Sequence, residues 1–430
     1  MLVTHLWLSM NLVKTSLLSL VATFFKMLSG LVINKAISVY IGPAGLAVIG
    51  QFQNFSQVVL IAAQGAINSG VVKYTAEYGR ESPKIPYLFS TALRISLVAS
   101  VSVGLLLVLF SSFFSSKILD SVDYNFIFII FGFTIILFVL NGLLLSIING
   151  LKEIRSYIKI NIIQSLYSLI FTSLLIYFFS LKGALIALAT NQSIIFFITL
   201  VMIRKHNIIK WKNFTSTFDK QISKKLFAFS AMAITSAIMV PTSQFIIRDY
   251  IATTQGMDQA GYWQGVWYIS TTYLMIVTTA LSTYYLPRLS EITCKQELKK
   301  EILQGYKILL PIVIACGLTI YILRDFIIHL LFSESFLPMK PLFTWQIIGD
   351  VLKIAAWLLV YVMLAKKMTK EFIICEVLCS VSFVFLSYLL ISLLGTIGTT
   401  YAYCITYIIY FLTVYFFINK NLKTSKIESS

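Results

Sequence analysis

Lys26 sits in the middle of an apolar run, Leu17 to Tyr40, where an ammonium facing lipid costs about 2.5–3.5 kcal/mol. Such a cation faces water, a partner or an anion, so the chemistry it offers is electrostatic capture. On the same span Ser16, Ser19, Thr23, Lys26 and Gly30 recur every three or four residues, which sets them on one helical face. Gly50, Gln53, Gln57, Gln64 and Asn68 do the same on the second span, and Gln264, Tyr268, Thr271, Thr278 and Ser282 on the eighth. Polar stripes of this kind either line a wet cavity or glue helices together. Three of them in corresponding helices favour a shared cavity.

Further charges lie inside apolar segments. Gln346, Asp350 and Lys353 share a face at mid-depth of the tenth span, and Arg324-Asp325 lies toward the outer part of the ninth. Asp350 and Lys353, three residues apart, form either a self-neutralising pair or a substrate or coupling-ion site. Glu376 and His329 are candidates for proton exchange, with an interfacial role as the alternative. Lys35 lies on the opposite face from Lys26 and nearer the outer end, so it either snorkels or joins Arg248, its counterpart in the second half. Pro241, within Val240-Pro241-Thr242-Ser243-Gln244, should bend the seventh span. Cys294, Cys316, Cys375, Cys379 and Cys404 show no metal-ligand or disulfide spacing. The histidines are His5, His206 and His329, and no GxSxG, HExxH or phosphate-cradling loop occurs. Neither an enzyme, nor a metal site, nor a cofactor is expected.

The elements that position these groups are membrane spans. The chain has 430 residues, 58% hydrophobic and 12% charged, with a mean hydropathy of +0.86, outside the range of soluble domains. At about 20 residues per span, helices fall near 14–39, 45–72, 86–114, 122–149, 157–180 and 183–203, then near 225–253, 260–286, 303–332, 338–365, 371–392 and 396–419. The expected fold is therefore an all-α polytopic membrane protein of twelve spans. The net charge of +17 sits in short loops, where it sets topology instead of binding nucleic acid. Lys14, Lys73, Arg80, Lys84, Lys152, Arg155, Lys159, the Arg204–Lys225 cluster, Arg288, Lys295, Lys299, Lys300, Lys366, Lys367, Lys370, Lys420, Lys423 and Lys426 fall on one side. Only Lys117, Lys182 and Lys340 fall on the other. An even number of spans with both termini cytoplasmic accounts for this split.

The loop 204–224 divides the chain into an N-lobe, 14–203, and a C-lobe, 225–419, flanked by an extension, 1–13, and a tail, 420–430. Each half enters from the same side, which implies a parallel repeat. Lys35 with Ala44-Gly45 and Gly50-Gln51 echoes Arg248 with Ala260-Gly261 and Gln264-Gly265. The first span is too long for a cleavable signal, and Met10 is a candidate natural start.

Five motifs in order resemble a known family: Gly42-Pro43-Ala44-Gly45-Leu46, Gly261-Tyr262-Trp263-Gln264-Gly265-Val266, Tyr285-Leu286-Pro287-Arg288-Leu289-Ser290, Leu323-Arg324-Asp325-Phe326, and Trp345-Gln346 through Lys353. Together they are similar to the Wzx-type O-antigen flippases and, within them, to the enterobacterial common antigen branch, the lipid III flippases. The resemblance implies the fold of the multidrug/oligosaccharidyl-lipid/polysaccharide exporters, two six-helix lobes around a central cavity. It also implies a substrate, an undecaprenyl-pyrophosphate-linked oligosaccharide, moved from the cytoplasmic to the periplasmic leaflet of the bacterial inner membrane. On that reading Lys26, with Arg248 and Lys35, holds the pyrophosphate. Gln53, Gln57, Gln64, Asn68, Gln264, Trp263 and Trp267 meet the sugars. Polymerase and chain-length components of O-antigen assembly are the expected partners. A cation-coupled multidrug exporter of the same fold, a membrane enzyme of polysaccharide assembly and a non-transporting scaffold are the alternatives.

Overall fold

The structure, a computed structural model, describes the backbone of residues 2–204, 208–292 and 294–424, with side chains from residue 21 to 420 except 205–207, 228–233, 283 and 293. Ser16 and Ser19 of the first stripe, Lys14, His5, His206, Lys423 and Lys426 therefore lie outside the described side chains.

Fifteen helices account for nearly all of the described backbone: α1 (Leu2–Tyr40), α2 (Gly42–Ala63), α3 (Asn68–Tyr78), α4 (Ile85–Leu109), α5 (Ser111–Ile118), α6 (Asn125–Gly150), α7 (Ile154–Ile203), α8 (Lys220–Gln255), α9 (Met257–Ala280), α10 (Leu286–Glu291), α11 (Lys295–Ile322), α12 (Arg324–Leu331), α13 (Phe343–Ala365), α14 (Thr369–Leu394) and α15 (Gly398–Thr424). Among the described residues, eight helical stretches are long and apolar enough to cross a membrane. Two of them, Ile154–Ile203 and Thr369–Lys420, fold back once. Ser180 breaks the first with φ 49° and ψ −126°, and Gly395, at φ 68°, breaks the second. Close backbone approach tightens both reversals, since a Cβ on Gly183 would fall 1.9 Å from Leu175 O and one on Gly398 2.2 Å from Leu390 O. The more polar α8 and α9, of 36 and 24 residues, bring the passes of membrane length to twelve. This is an all-α polytopic membrane protein.

Several expected spans end early or continue as separate helices. The second stops at Ala63 instead of running to residue 72, because Gly65 and Ala66 turn at φ 62° and 54°. Their amides donate to Ala62 O and Ile61 O, each at 3.0 Å, which closes the helix with a left-handed cap. The third span is cut at Phe110, the eighth passes through a π-turn at Leu281–Tyr285 into α10, and the ninth is split between α11 and α12. Pro241, in contrast, lies within an unbroken α8.

The chain divides into two compact units. One comprises residues 24–40 and 48–242. Its core centres on Phe52, Phe128 and Phe131, whose rings lie 5.7 and 5.9 Å from that of Phe52. Helices α4 and α6 touch backbone to backbone at Gly104 and Gly132, where a Cβ on Gly104 would meet Gly132 O at 2.6 Å. Small residues permit such approach where lipid gives helices no hydrophobic drive to associate. Buried Asn141 donates to Gln192 Oε1 at 2.9 Å and accepts from Thr199 Oγ1 at 2.8 Å, tying α6 to α7. The other unit comprises residues 1–23, 41–47 and 243–430. Within it the start of α2 packs on α9: a Cβ on Gly261 would lie 2.0 Å from Pro43 O. Two of the five sequence motifs therefore meet in space.

Candidate functional site

In the unit of residues 24–40 and 48–242, α2 and α8 flank an open cavity of about 550 Å³ lined by Gln57, Leu60, Ile61, Gln64, Ser236, Ala237, Val240 and Pro241. The polar stripe on α2 supplies the amides, and Gln57 is exposed. The stripe does not continue as one face, because the turn after Ala63 intervenes. Gln64 and Asn68 nevertheless converge on α6: a Cβ on Gly142 would lie 3.4 Å from Gln64 Nε2 and 3.3 Å from Asn68 Nδ2. Gln53 is half-buried. Lys26 is exposed on α1, while Lys35, further along the same helix, is half-buried.

The other unit holds the remaining predicted residues, and most of them are buried. Arg248 is 2% exposed. Its Nη2 donates to Gln264 Oε1, and its guanidinium lies 5.5 Å from the centre of the Trp263 ring. Gln264 alone of its stripe is buried, whereas Thr271 and Ser282 are exposed. Trp263 and Trp267 are adjacent, their rings 5.7 Å apart. Four residues predicted to bind substrate are therefore packed together in this conformation, with Arg248 Nη2 engaged by Gln264. A guanidinium requires this kind of partnering once it leaves water.

Among the described residues the least exposed charged side chain is Asp350 on α13, which is fully buried. Its Oδ1 accepts from Ser270 Oγ at 2.6 Å and Tyr403 OH at 2.9 Å, and its Oδ2 from Tyr273 OH at 2.8 Å. Gln346 Nε2 adds a longer contact of 3.4 Å. Lys353, one turn along, lies among aromatic rings: Trp357 at 5.1 Å, Trp267 at 5.6 Å, Tyr407 at 5.8 Å and Tyr403 at 6.0 Å. Among the described residues no direct ion pair joins Lys353 to Asp350. Hydroxyls hold the carboxylate and ring faces hold the ammonium, which are the two ways an apolar interior accommodates opposite charges without contact. Glycine makes the arrangement possible. A Cβ on Gly349 would come within 2.3 Å of the Tyr403 ring, so only glycine lets α15 bring Tyr403 against α13.

Glu376 accepts from Tyr410 OH, at the end of an α15 series whose rings run from Tyr403 to Tyr407 at 4.8 Å and on to Tyr410 at 6.0 Å. Arg324 and Asp325 join neither group. Asp325 pairs with Lys340 at 3.0 Å, Arg324 lies over the Tyr321 ring at 4.4 Å, and His329 is exposed. The sequence reading missed Ser270, Tyr273, Trp357, Tyr403 and Tyr407. The four-and-three spacing of Tyr403, Tyr407 and Tyr410 was a visible signal, since it places three hydroxyls on one face of α15. Among the described residues no group of three or more His, Cys, Asp or Glu could hold a metal ion.

Comparison with known proteins follows from this architecture. The chain is 30% identical over 402 residues to the lipid III flippase of Escherichia coli (strain K12), covering 94% of this chain and 97% of that protein. It matches the lipid III flippase of Shigella flexneri with the same figures. Among solved structures, a multidrug resistance MATE family transporter of the MOP superfamily aligns in its inward-facing conformation with a TM-score of 0.74 at 14% identity, over 95% of this chain and 99% of that one. Its outward-facing conformation gives 0.71 at 16%, over 96% of each. The lipid II flippase MurJ, inward closed, gives 0.68 at 18%, over 95% of this chain and 87% of that one. These structures share the fold. No protein-family model matches the chain.

Proposed function

The chain belongs to the lipid III flippase family, and on that premise we propose that it moves undecaprenyl-pyrophosphate-linked oligosaccharide repeat units, of O-antigen or enterobacterial common antigen type, from the cytoplasmic to the periplasmic leaflet by alternating access. The observation that carries this reading is 30% identity extending over 94% of the chain and 97% of its relative. The multidrug transporters align at 14–16% identity and lend the fold without the substrate.

The chemistry of such a lipid matches the groups available. Pyrophosphate and sugars cannot cross hydrocarbon bare, whereas a polyprenyl tail can stay in lipid. Lys26, exposed on α1, is the proposed first cation for the pyrophosphate, with Lys35 and Arg248 as the proposed further cations. Gln57 and Gln64, lining the cavity with Ser236, are the proposed sugar-facing amides, joined by Gln53 and Asn68. Trp263, Gln264 and Trp267 are proposed to enter contact with substrate in a different state of the cycle. Pro241, one residue before the division of the compact units after Thr242, is the proposed bend point within α8, and the lobes 14–203 and 225–419 remain the proposed halves of the transporter.

Exit of an anion against a negative interior is favoured by about 2.3 kcal/mol per charge per 100 mV. Asp350, with Lys353 beside it, and Glu376 are the proposed places for any coupling proton or cation. Arg324 and Asp325, engaged with Tyr321 and Lys340, support a local structural role instead. The one-sided basic loops support an inner-membrane orientation with both termini cytoplasmic. Polymerase and chain-length components are the proposed partners, since an exported repeat unit must be joined.

The test is leaflet accessibility. The purified chain is reconstituted with a labelled lipid-linked repeat unit, and an impermeant reagent reports the outer headgroup. Wild type should expose the headgroup and Lys26→Ala should not. Headgroup exposure no faster than in protein-free vesicles would refute flipping.

A further inference from the structure

The two arms of α7 reverse at Ser180, and on the flank of that hairpin lies a groove of about 390 Å³ lined by Lys159, Ile163, Phe197, Ile198, Val201 and Met202. Phe197 and Val201 form its walls, 56% and 60% exposed, and the other apolar residues are its half-buried floor. Behind the floor, Ile160 and Ile203 are packed in a cluster with Leu144 and Ile148, so the groove has a firm base. Lys159 is its one charged lining residue.

The depth of that lysine is informative. It stands five residues in from Ile154, the first residue of α7, which is about 7–8 Å of helix rise. For a span expected to begin near residue 157, that depth suits the boundary between headgroups and acyl chains on the side to which the basic loops are assigned. Arg155, one turn earlier on the same face, is exposed, and so is Arg204, which follows the second arm. The neighbouring carboxylate, Glu153, is engaged by Arg80 at 3.3 Å. The rim is therefore cationic above an apolar trough, the combination by which pockets between transmembrane helices hold acidic lipid headgroups.

We propose that the α7 groove is a binding site for one acidic phospholipid, whose acyl chain lies against Phe197 and Val201 and whose phosphate accepts from Lys159. Arg155 and Arg204 flank the headgroup. The occupant is a resident membrane lipid, and the site is separate from the α2–α8 cavity.

The full-length chain, delipidated in detergent, is supplied with phosphatidylglycerol or with phosphatidylcholine of matched acyl chains, and retained lipid is counted by native mass spectrometry. Wild type should retain phosphatidylglycerol preferentially. Lys159→Gln should weaken that retention about fivefold, the effect of one lysine at an anionic headgroup, and Lys159→Arg should preserve it. Val201→Trp, which fills the trough, should lower retention of both lipids, and Lys212→Gln, in a loop outside the groove, should change neither. Size-exclusion profiles and melting temperatures matching wild type establish that each variant is folded. Equal retention of the two phospholipids by wild type, or wild-type selectivity in Lys159→Gln, overturns the proposal. Displacement of the bound phosphatidylglycerol by undecaprenyl pyrophosphate also overturns it, and assigns the groove to the polyprenyl lipid.

Discussion

The Tyr403 hydroxyl donates to Asp350 Oδ1 at 2.9 Å while the ring of the same tyrosine lies 6.0 Å from the Lys353 ammonium. One side chain thus solvates both charges of a buried pair that make no direct contact. Tyr403→Phe keeps the ring and removes the donor. Chemical denaturation in detergent should show a loss of about 1.5–3 kcal/mol, the range for a hydrogen bond to a charged group, and an unchanged midpoint would contradict the role.

Removing one charge alone should cost more. Asp350→Asn leaves Lys353 buried without a counter-charge, a change expected to destabilise by about 3–5 kcal/mol. Asp350→Asn with Lys353→Met should recover much of that loss. A double-mutant cycle with no coupling would mean that the rings alone sustain the lysine.

Gly349 sets how closely α15 approaches α13. Alanine there would drive a Cβ to 2.3 Å from the Tyr403 ring, so Gly349→Ala should lower the melting temperature by an amount corresponding to about 1–3 kcal/mol of overpacking. Gly349→Ala combined with Tyr403→Leu should relieve the clash. Because Tyr403→Leu also removes the donor to Asp350, the comparison is with Tyr403→Leu alone: if Gly349→Ala lowers the melting temperature as much in that background as in wild type, the ring is not what the new methyl group meets.

Charge at Lys26 should matter more than length. Lys26→Arg is expected to retain most headgroup translocation, Lys26→Gln to lose it, and neither to shift the melting temperature, because the side chain is exposed. Gln64→Leu should impair translocation less than Lys26→Gln. Equal rates for Lys26→Gln and Lys26→Arg would remove the electrostatic role.

The linker before α8 is fastened to α4. Ser90 Oγ and Arg94 Nη2 both donate to Ser216 O, the latter at 2.9 Å, and Asp219 N donates to Thr91 Oγ1 at 3.0 Å. The Phe89 and Phe214 rings stack at 5.5 Å. Arg94→Ala combined with Thr91→Val should speed amide exchange over residues 214–219 while leaving exchange in α6 unchanged. Unaltered exchange would show that ring stacking is sufficient.

Sequence by itself determined the twelve passes, because runs of about 20 apolar residues are properties of one segment at a time. It also located Lys26, Arg248, Asp350 and Lys353 within spans. It did not determine the reversal at Gly65 and Ala66, whose residues carry no proline and read as a continuation of α2. Nor did it determine that Gln264 would face Arg248, or that Tyr403, 53 positions from Asp350, would be its donor. Helical period assigns each residue to a face but leaves open which faces meet. In a membrane that choice is made by close packing at small residues such as Gly349 and Gly104 and by hydrogen bonds between helices, which exist only once the helices have assembled.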